Sequence, residues 1–236
     1  QEFAIIEVRP FETLSGANHG WLDAHHHFSF AEYYDPKRMS WGRLRVWNDD
    51  LIAPKSGFPP HPHRDMEIIT YVRTGAITHQ DSMGNKGRTA AGDVQVMSAG
   101  TGVRHAEFNL EDESTTLFQI WIEPDATGGA PGWGAKQFPK SDRSGVWSIL
   151  ASGKGDDGAL AIRADARVVG ATLEAGQELT WETEPHRHVY AVPATGVIEV
   201  DGKRINARDG IAFTGGSKVV FKAIEGPAEI VLTDTL

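Results

Sequence analysis

The feature that most constrains this chain is its punctuation. Short runs rich in β-branched, aromatic or alternating residues fall at 67–73, 76–80, 93–97, 117–123, 188–192, 197–200, 218–222 and 228–233. Clusters of Gly, Asn, Asp and Pro separate them, and helical spacing of apolar residues is scarce. Many short strands of this kind bury their apolar faces only by closing into a sandwich or a barrel. Ser82-Met83-Gly84-Asn85-Lys86-Gly87 reads as one turn, and Asp201-Gly202 as a tight two-residue hairpin. A length of 236 residues suits one large β domain or two of roughly 100 residues each, and either can bury a core.

A weak internal repeat favours two. A strand followed by Thr74-Gly75-Ala76-Ile77, a turn and Gly92-Asp93-Val94 is echoed by a strand, Thr195-Gly196-Val197-Ile198, a turn and Arg208-Asp209-Gly210. The Gly- and Pro-rich stretch 126–145 breaks the strand pattern and is read as the link. The expected organisation is all-β, with two jelly-roll barrels packed together over residues 1–130 and 131–236. A single large sandwich would carry similar punctuation.

Composition removes several classes of function. With 23 Lys and Arg against 32 Asp and Glu, the formal charge is −9 and no basic cluster stands out. Direct, non-specific nucleic-acid binding depends on such clusters and is not expected. No apolar run of about 18 residues appears, so no spanning helix is expected. Residues 1–10 alternate and carry charge, unlike a secretory leader, and the expected compartment is the cytoplasm. Cysteine is absent, which excludes disulfides, thiolate metal sites and Cys nucleophiles. Any metal site must therefore use His and carboxylate ligands, which suit Fe, Mn, Ni, Co, Cu or Zn.

Two segments carry such ligands. In Gly57-Phe58-Pro59-Pro60-His61-Pro62-His63-Arg64-Asp65-Met66-Glu67, strand alternation points His61 and His63 to one face. Glu67 shares their parity if no bulge intervenes. In Gly100-Thr101-Gly102-Val103-Arg104-His105-Ala106-Glu107, His105 and Glu107 again share parity, and a Gly-rich turn allows the chain to re-enter a barrel abruptly. Two polar pairs on separate strands are what a site in a barrel mouth requires.

The two segments resemble the paired motifs of the cupin superfamily, G-x5-H-x-H-x3–4-E-x6-G and G-x5-P-x-G-x2-H-x3-N. They depart from them where Gly57 lies too close to His61, Ser98 replaces the Pro, and two extra residues separate Gly100 from His105. Those departures match one family. Gly20-Trp21-Leu22-Asp23, His27-Phe28-Ser29-Phe30, Tyr34-Asp35-Pro36, His61-Pro62-His63-Arg64, Gly92-Asp93-Val94-Gln95 and His105-Ala106-Glu107 together resemble the pirin family. The resemblance is strong over residues 3–125 and weak beyond.

What the resemblance implies is a bicupin with one metal in its N-terminal barrel. Its ligands would be His61, His63, His105 and Glu107, and the ion iron(II) before Mn, Ni, Co, Cu or Zn. Glu67 occupies the place of the carboxylate ligand in many other cupins. In a pirin-like chain it becomes an orienting residue or a partner for Arg64. Gapless alignment of the repeat puts Glu182 and Glu184 opposite His61 and His63, and His188 opposite Glu67. On the other segment it puts Phe221 and Ala223 opposite His105 and Glu107. No ligand set survives, so the second barrel is expected to lack a metal, with His186 and His188 structural or at the surface. His27 is expected to pack near the barrel, and His25 and His26 to face solvent. Trp21, Trp41 and Trp47 are expected in packing, Arg104 at a solvated strand edge, and Asn109 in hydrogen bonds that support the site.

Two functions follow from the resemblance. The first is a metal-dependent dioxygenase similar to quercetin 2,3-dioxygenases, which open a flavonol ring with O2 and release carbon monoxide. The metal would act as a Lewis acid on the substrate hydroxyl, and Glu107 or Glu67 would take its proton. The second is a metal-bound or redox-sensing protein that regulates a protein partner. An enzyme needs room for a flavonol beside the ion, and a sensor does not.

Overall fold

The structure is a computed structural model that describes residues 4–236. The charged alternation read at 1–10 therefore includes 1–3, which lie outside the described residues. The first half contributes β1 (Glu7–Arg9), β2 (Ser15–Asn18), β3 (Leu22–His26), β4 (Leu44–Ile52), β5 (Ser56–His63) and β6 (Glu67–Thr74). It continues with β7 (Ala76–Asp81), β8 (Lys86–Ala90), β9 (Val94–Ser98), β10 (Val103–Asn109), β11 (Thr115–Ile122) and β12 (Gly132–Lys136). The second half contributes β13 (Ser148–Ser152), β14 (Leu160–Ala161), β15 (Ala166–Leu173) and β16 (Glu178–Trp181). It ends with β17 (His188–Val200), β18 (Lys203–Ile205), β19 (Gly210–Thr214) and β20 (Val219–Thr235). No helix among the described residues is long and apolar enough to cross a membrane.

The first domain is a jelly roll of two sheets rather than one closed barrel. One has the order β12-β9-β6-β11-β4-β3-β2 and the other β5-β10-β7-β8. The second domain forms a nine-stranded sheet along β1-β19-β17-β20-β15-β13-β14, with β16 on β20 and β18 on β17. Thus β1, from the start of the chain, pairs with β19 of the second domain. The stretch 126–145, expected to be only a link, contains β12. That strand pairs with β9 and carries the first domain past residue 130.

The repeat marks a corner. Gly75, at φ 76°, sits where β6 leaves the seven-stranded sheet and β7 enters the four-stranded one. A Cβ there would collide with Thr115. Gly196, at φ 80°, turns the same corner within β17 and packs against Pro227 and Ala228. Here the strand does not stop, because bulges flank Thr195 and let it bend while pairing continues. This is why 188–192 and 197–200, read as two strands, form one, as do 218–222 and 228–233. Asp201 and Gly202 both have positive φ, the signature of the tight hairpin expected there.

The domains are joined through the outer face of the seven-stranded sheet. Trp47, Tyr71 and Phe118 share one buried cluster with Tyr190, Val192 and Val231. Polar groups sit within this apolar contact. Asp49, fully buried, pairs with Arg73 and accepts Arg208 Nε at 2.7 Å. Strand β4 is therefore buried on both faces: Trp47 and Asp49 look toward the second domain, and Asn48 and Asp50 into the first. Removing one partner of a buried ion pair leaves uncompensated charge. Asp49→Ala should lower the unfolding free energy by about 3 kcal/mol in a urea titration. A loss below about 1 kcal/mol would show that the pair behaves as a surface contact.

Candidate metal centre

Three prolines, Pro59, Pro60 and Pro62, lie in β5. Lacking N–H donors, they confine it to a sheet edge, and β5 is an edge strand paired only with β10. The pairing sets His105 opposite His61 and Val103 opposite His63, and the register shifts between His105 and Glu107. The three rings converge with centroids 4.5 Å (His61–His105), 4.8 Å (His61–His63) and 4.9 Å (His63–His105) apart. One ligand nitrogen from each lies within 4.8 Å of the others, and this is the one group of three or more such residues found among the described residues. Glu107 Oε1 is 3.7 Å from His105 Nε2.

Each ring is prepared to offer a lone pair. His61 Nδ1 lies 2.7 Å from the carbonyl of Pro59; donating there fixes the tautomer and leaves Nε2 unprotonated. Burial, with His61 alongside, pushes His63 down to about 4. Burial, reinforced by the neighbouring histidines, pushes His105 down to about 2. Both are neutral donors near pH 7. His105 Nε2 is buried without a partner in the protein. Glu107 is buried, and burial pushes it up to about 7 although Gln119 donates to it. An orphaned imidazole nitrogen beside a reluctantly buried carboxyl suits a divalent cation, which would satisfy both. Three imidazoles and a carboxylate are a set that Fe, Ni, Mn, Co, Cu or Zn accepts.

The residues behind this group were not singled out in the sequence. Gln95 Nε2 donates to Glu107 Oε2 at 3.2 Å, and Gln119 Nε2 to both carboxyl oxygens at 3.2 Å. Their own carbonyls accept from Thr89 at 3.1 Å and Thr70 at 3.4 Å. Behind His105 stands His79, stacked on Trp133 of β12 at 4.8 Å and 8°. Asp81 Oδ2 is 2.7 Å from His79 Nε2, and His79 Nδ1 is 3.4 Å from His105 Nδ1. With His79 donating to Asp81, its Nδ1 accepts from His105 Nδ1–H, which directs the lone pair of His105 Nε2 to the other rings. The alternation His79-Gln80-Asp81 was the available signal, since it puts both side chains on one face of β7.

Several expectations change. Glu67 does not line the cavity beside the histidines; its Oε1 accepts from Ser98 Oγ at 2.6 Å and from the amide of Arg163 at 2.8 Å. Parity fails because β5 ends at His63, and a turn with Asp65 at φ 47° starts β6 in the other sheet. Arg64 is exposed and pairs with Asp65, not Glu67. His26 is buried and lines the cavity, because Leu22, Ala24 and His26 share the inward face of β3. His25 is half-buried against Phe11, while His27 is buried with Nδ1 2.5 Å from Tyr190 Oη. Asn109 Nδ2 ties the carbonyls of Ile52, Ala53 and Glu113 and does not reach the site. Trp47 is core, Trp21 packs on Phe58 and Trp41 on His188. Arg104 is exposed and donates to the carbonyl of Pro60.

In the second domain the corner glycine fixes the equivalent positions. Matching Gly196 to Gly75 makes Val200 equivalent to His79. Val200 faces Phe221 as His79 faces Glu107. Phe221 thus stands for Glu107, and Val219 for His105. Trp181 faces Val219 as His61 faces His105. The gapless alignment was two residues out on β20, and the equivalents are apolar. His186 is exposed beside Glu184, and His188 packs on Trp41.

The chain matches the family model "Pirin" over residues 7–122 and "Quercetinase C-terminal cupin domain" over 149–235. It is 64% identical over 231 residues to a protein of Caulobacter vibrioides named pirin-like protein, covering 98% of this chain and 99% of that one. It is 38% identical to a protein of Escherichia coli K12 named quercetin 2,3-dioxygenase, covering 98% of each. The crystal structure of YhhW from Escherichia coli superposes with a TM-score of 0.93 at 37% identity over 98% of each chain. A second structure, bacterial pirin YhhW in complex with nickel(II), gives 0.92 at 37% identity over 98% of this chain and 99% of that one. The two matched jelly rolls define a bicupin. The chain belongs to the pirin family.

His79→Ala should weaken binding of a divalent metal by about tenfold or more in a competition titration against a chromogenic chelator, with the fold retained by circular dichroism. Unchanged affinity would mean that His79 does not orient His105.

Proposed function

We propose that this protein is a metal-dependent dioxygenase that cleaves flavonols such as quercetin with O2. The metal is held by His61, His63, His105 and Glu107 in the first domain. The second domain, with Trp181, Val219 and Phe221 at the equivalent positions, holds none. The observation that carries this reading is a cavity of about 360 Å³ next to the histidines, a size that ligand pockets share. A sensor that acts only through its metal and a protein partner does not need that space.

The wall of the cavity suits a flat aromatic molecule. Trp121 meets His63 edge-on at 5.1 Å, Phe30 meets Trp121 at 5.5 Å, and Phe58 and Pro59 add apolar surface. Such faces hold a planar ring and exclude water. A bound iron(II) would supply Lewis acidity, making the substrate hydroxyl more acidic and the ring more reactive toward O2. Of the two candidates, Glu107 and Glu67, we assign that proton to Glu107, since it lines the cavity 3.7 Å from His105 and Glu67 does not line it. Gln95 and Gln119 hold Glu107 in one orientation, as a proton acceptor at a fixed distance requires. Names of relatives support the same chemistry, and the nickel(II) complex of YhhW makes nickel an alternative to iron.

Oxygen-electrode traces test this. Iron- or nickel-loaded protein should consume O2 when quercetin is added, and His63→Ala treated identically should fall to background. No uptake by the loaded wild type, where another quercetinase responds in the same cell, would overturn the assignment.

A further inference from the structure

Across the seven-stranded sheet runs a row of buried polar side chains in register. His26 faces Asn48, Asn48 faces Gln119, Gln119 faces Thr70, and Thr70 faces Gln95. One half of this row is satisfied: Thr70 donates to Gln119 and accepts from Gln95, and both amides donate to Glu107. The other half is not. His26 Nδ1 and Asn48 Oδ1 are buried with no partner in the protein, and so is Oδ1 of Asp50, two residues along β4 from Asn48. These residues are 5%, 4% and 3% exposed, and all three line the cavity. The three histidines of the centre lie on the opposite sheet.

Buried polar groups normally have partners, and leaving one unmade costs a factor of roughly ten or more. Three in one wall of one cavity call for a hydroxylated ligand, which donates to Asn48 Oδ1 and either donates to His26 Nδ1 or accepts from it according to the tautomer. The cavity lining carries two carboxyl groups, Asp50 in this wall and Glu107 on β10 opposite, and no Lys or Arg. A ligand carboxylate seated there would be buried without a counter-charge, whereas a neutral hydroxyl both donates and accepts, which suits Asn48 Oδ1 and an Asp50 carboxyl that burial pushes up to about 8.

Building on the dioxygenase reading, we infer that His26, Asn48 and Asp50 form a specificity wall. It selects aromatic substrates bearing neutral hydroxyl groups on the part that faces the seven-stranded sheet, against bare rings and against rings bearing a carboxylate. The site requires no new group, since Phe30 and Trp121 already supply the flat surface that would hold the ring over it.

The test measures binding apart from turnover. Metal-loaded protein is titrated anaerobically, by tryptophan fluorescence, with flavonols whose pendant ring carries hydroxyls, nothing or a carboxylate. The variants are Asn48→Leu and Asp50→Leu. These are near in size and replace unpartnered buried polar atoms, so the fold is retained or stabilised. Wild type should bind the hydroxylated ring about tenfold more tightly than the bare ring, and the carboxylated ring most weakly. Each variant should lose most of that preference by weakening only the hydroxylated ligand, with metal content unchanged. An unchanged preference in both variants, or a wild type indifferent to the ring substituent, overturns the inference even if the enzyme turns flavonols over. Selective binding without O2 uptake in air sustains it while removing the dioxygenase reading.

Discussion

Three imidazoles and one buried carboxyl group meet in a pocket where the protein alone leaves part of them unsatisfied. His105 Nε2 has no partner, and Glu107 is held by two amides that soften but do not cancel its burial. Isolated, this cluster would be a liability, because polar groups removed from water need compensation. The surrounding jelly roll is arranged to keep it in place. The edge strand β5 supplies two rings, β10 supplies the third and the carboxyl, β9 and β11 supply the amides, and β7 supplies His79 with its aspartate. A turn joins function to architecture here: Asp81, which orients His79, also accepts the amides of Met83 and Asn85 and so closes the β7–β8 hairpin.

The second domain does different work with the same corner. Where the first domain sets His61, His105 and Glu107, the second sets Trp181, Val219 and Phe221, and Val219 and Phe221 join its own apolar core. Its sheet covers the outer face of the seven-stranded sheet, so that β4, β6 and β11 are buried on both sides. That cover is what allows Asn48, Asp50 and Gln119 to line an internal cavity on a rigid wall, since the opposite face of the same strands is packed against Tyr190 and its neighbours.

Much of this was legible in the chain. Period-two alternation paired His61 with His63 and His105 with Glu107, and the Thr-Gly-hydrophobic repeat announced two domains with a shared corner. Parity failed where a strand ended unseen: the positive φ of Asp65 breaks the run between His63 and Glu67, and nothing in the composition of that stretch marks the break. The roles of Gln95, Gln119 and His79 depend on cross-strand register, which one sequence does not specify. The burial of His26 is not legible in sequence, because three consecutive histidines look alike yet face three environments. The C-terminal alignment slipped by two residues on β20, where the distance to the corner is set by pairing and not by chain length. The linker concealed β12 because Gly and Pro are tolerated in a short edge strand.

The proposed chemistry requires one metal ion per chain, held by three histidines and Glu107. Elemental analysis of purified wild type, His63→Ala and Glu107→Gln, with folding matched by circular dichroism, tests it most directly. Wild type should carry about one transition-metal ion per chain, His63→Ala about a tenth of that or less, and Glu107→Gln an intermediate amount. Equal metal content in wild type and His63→Ala would contradict the assignment.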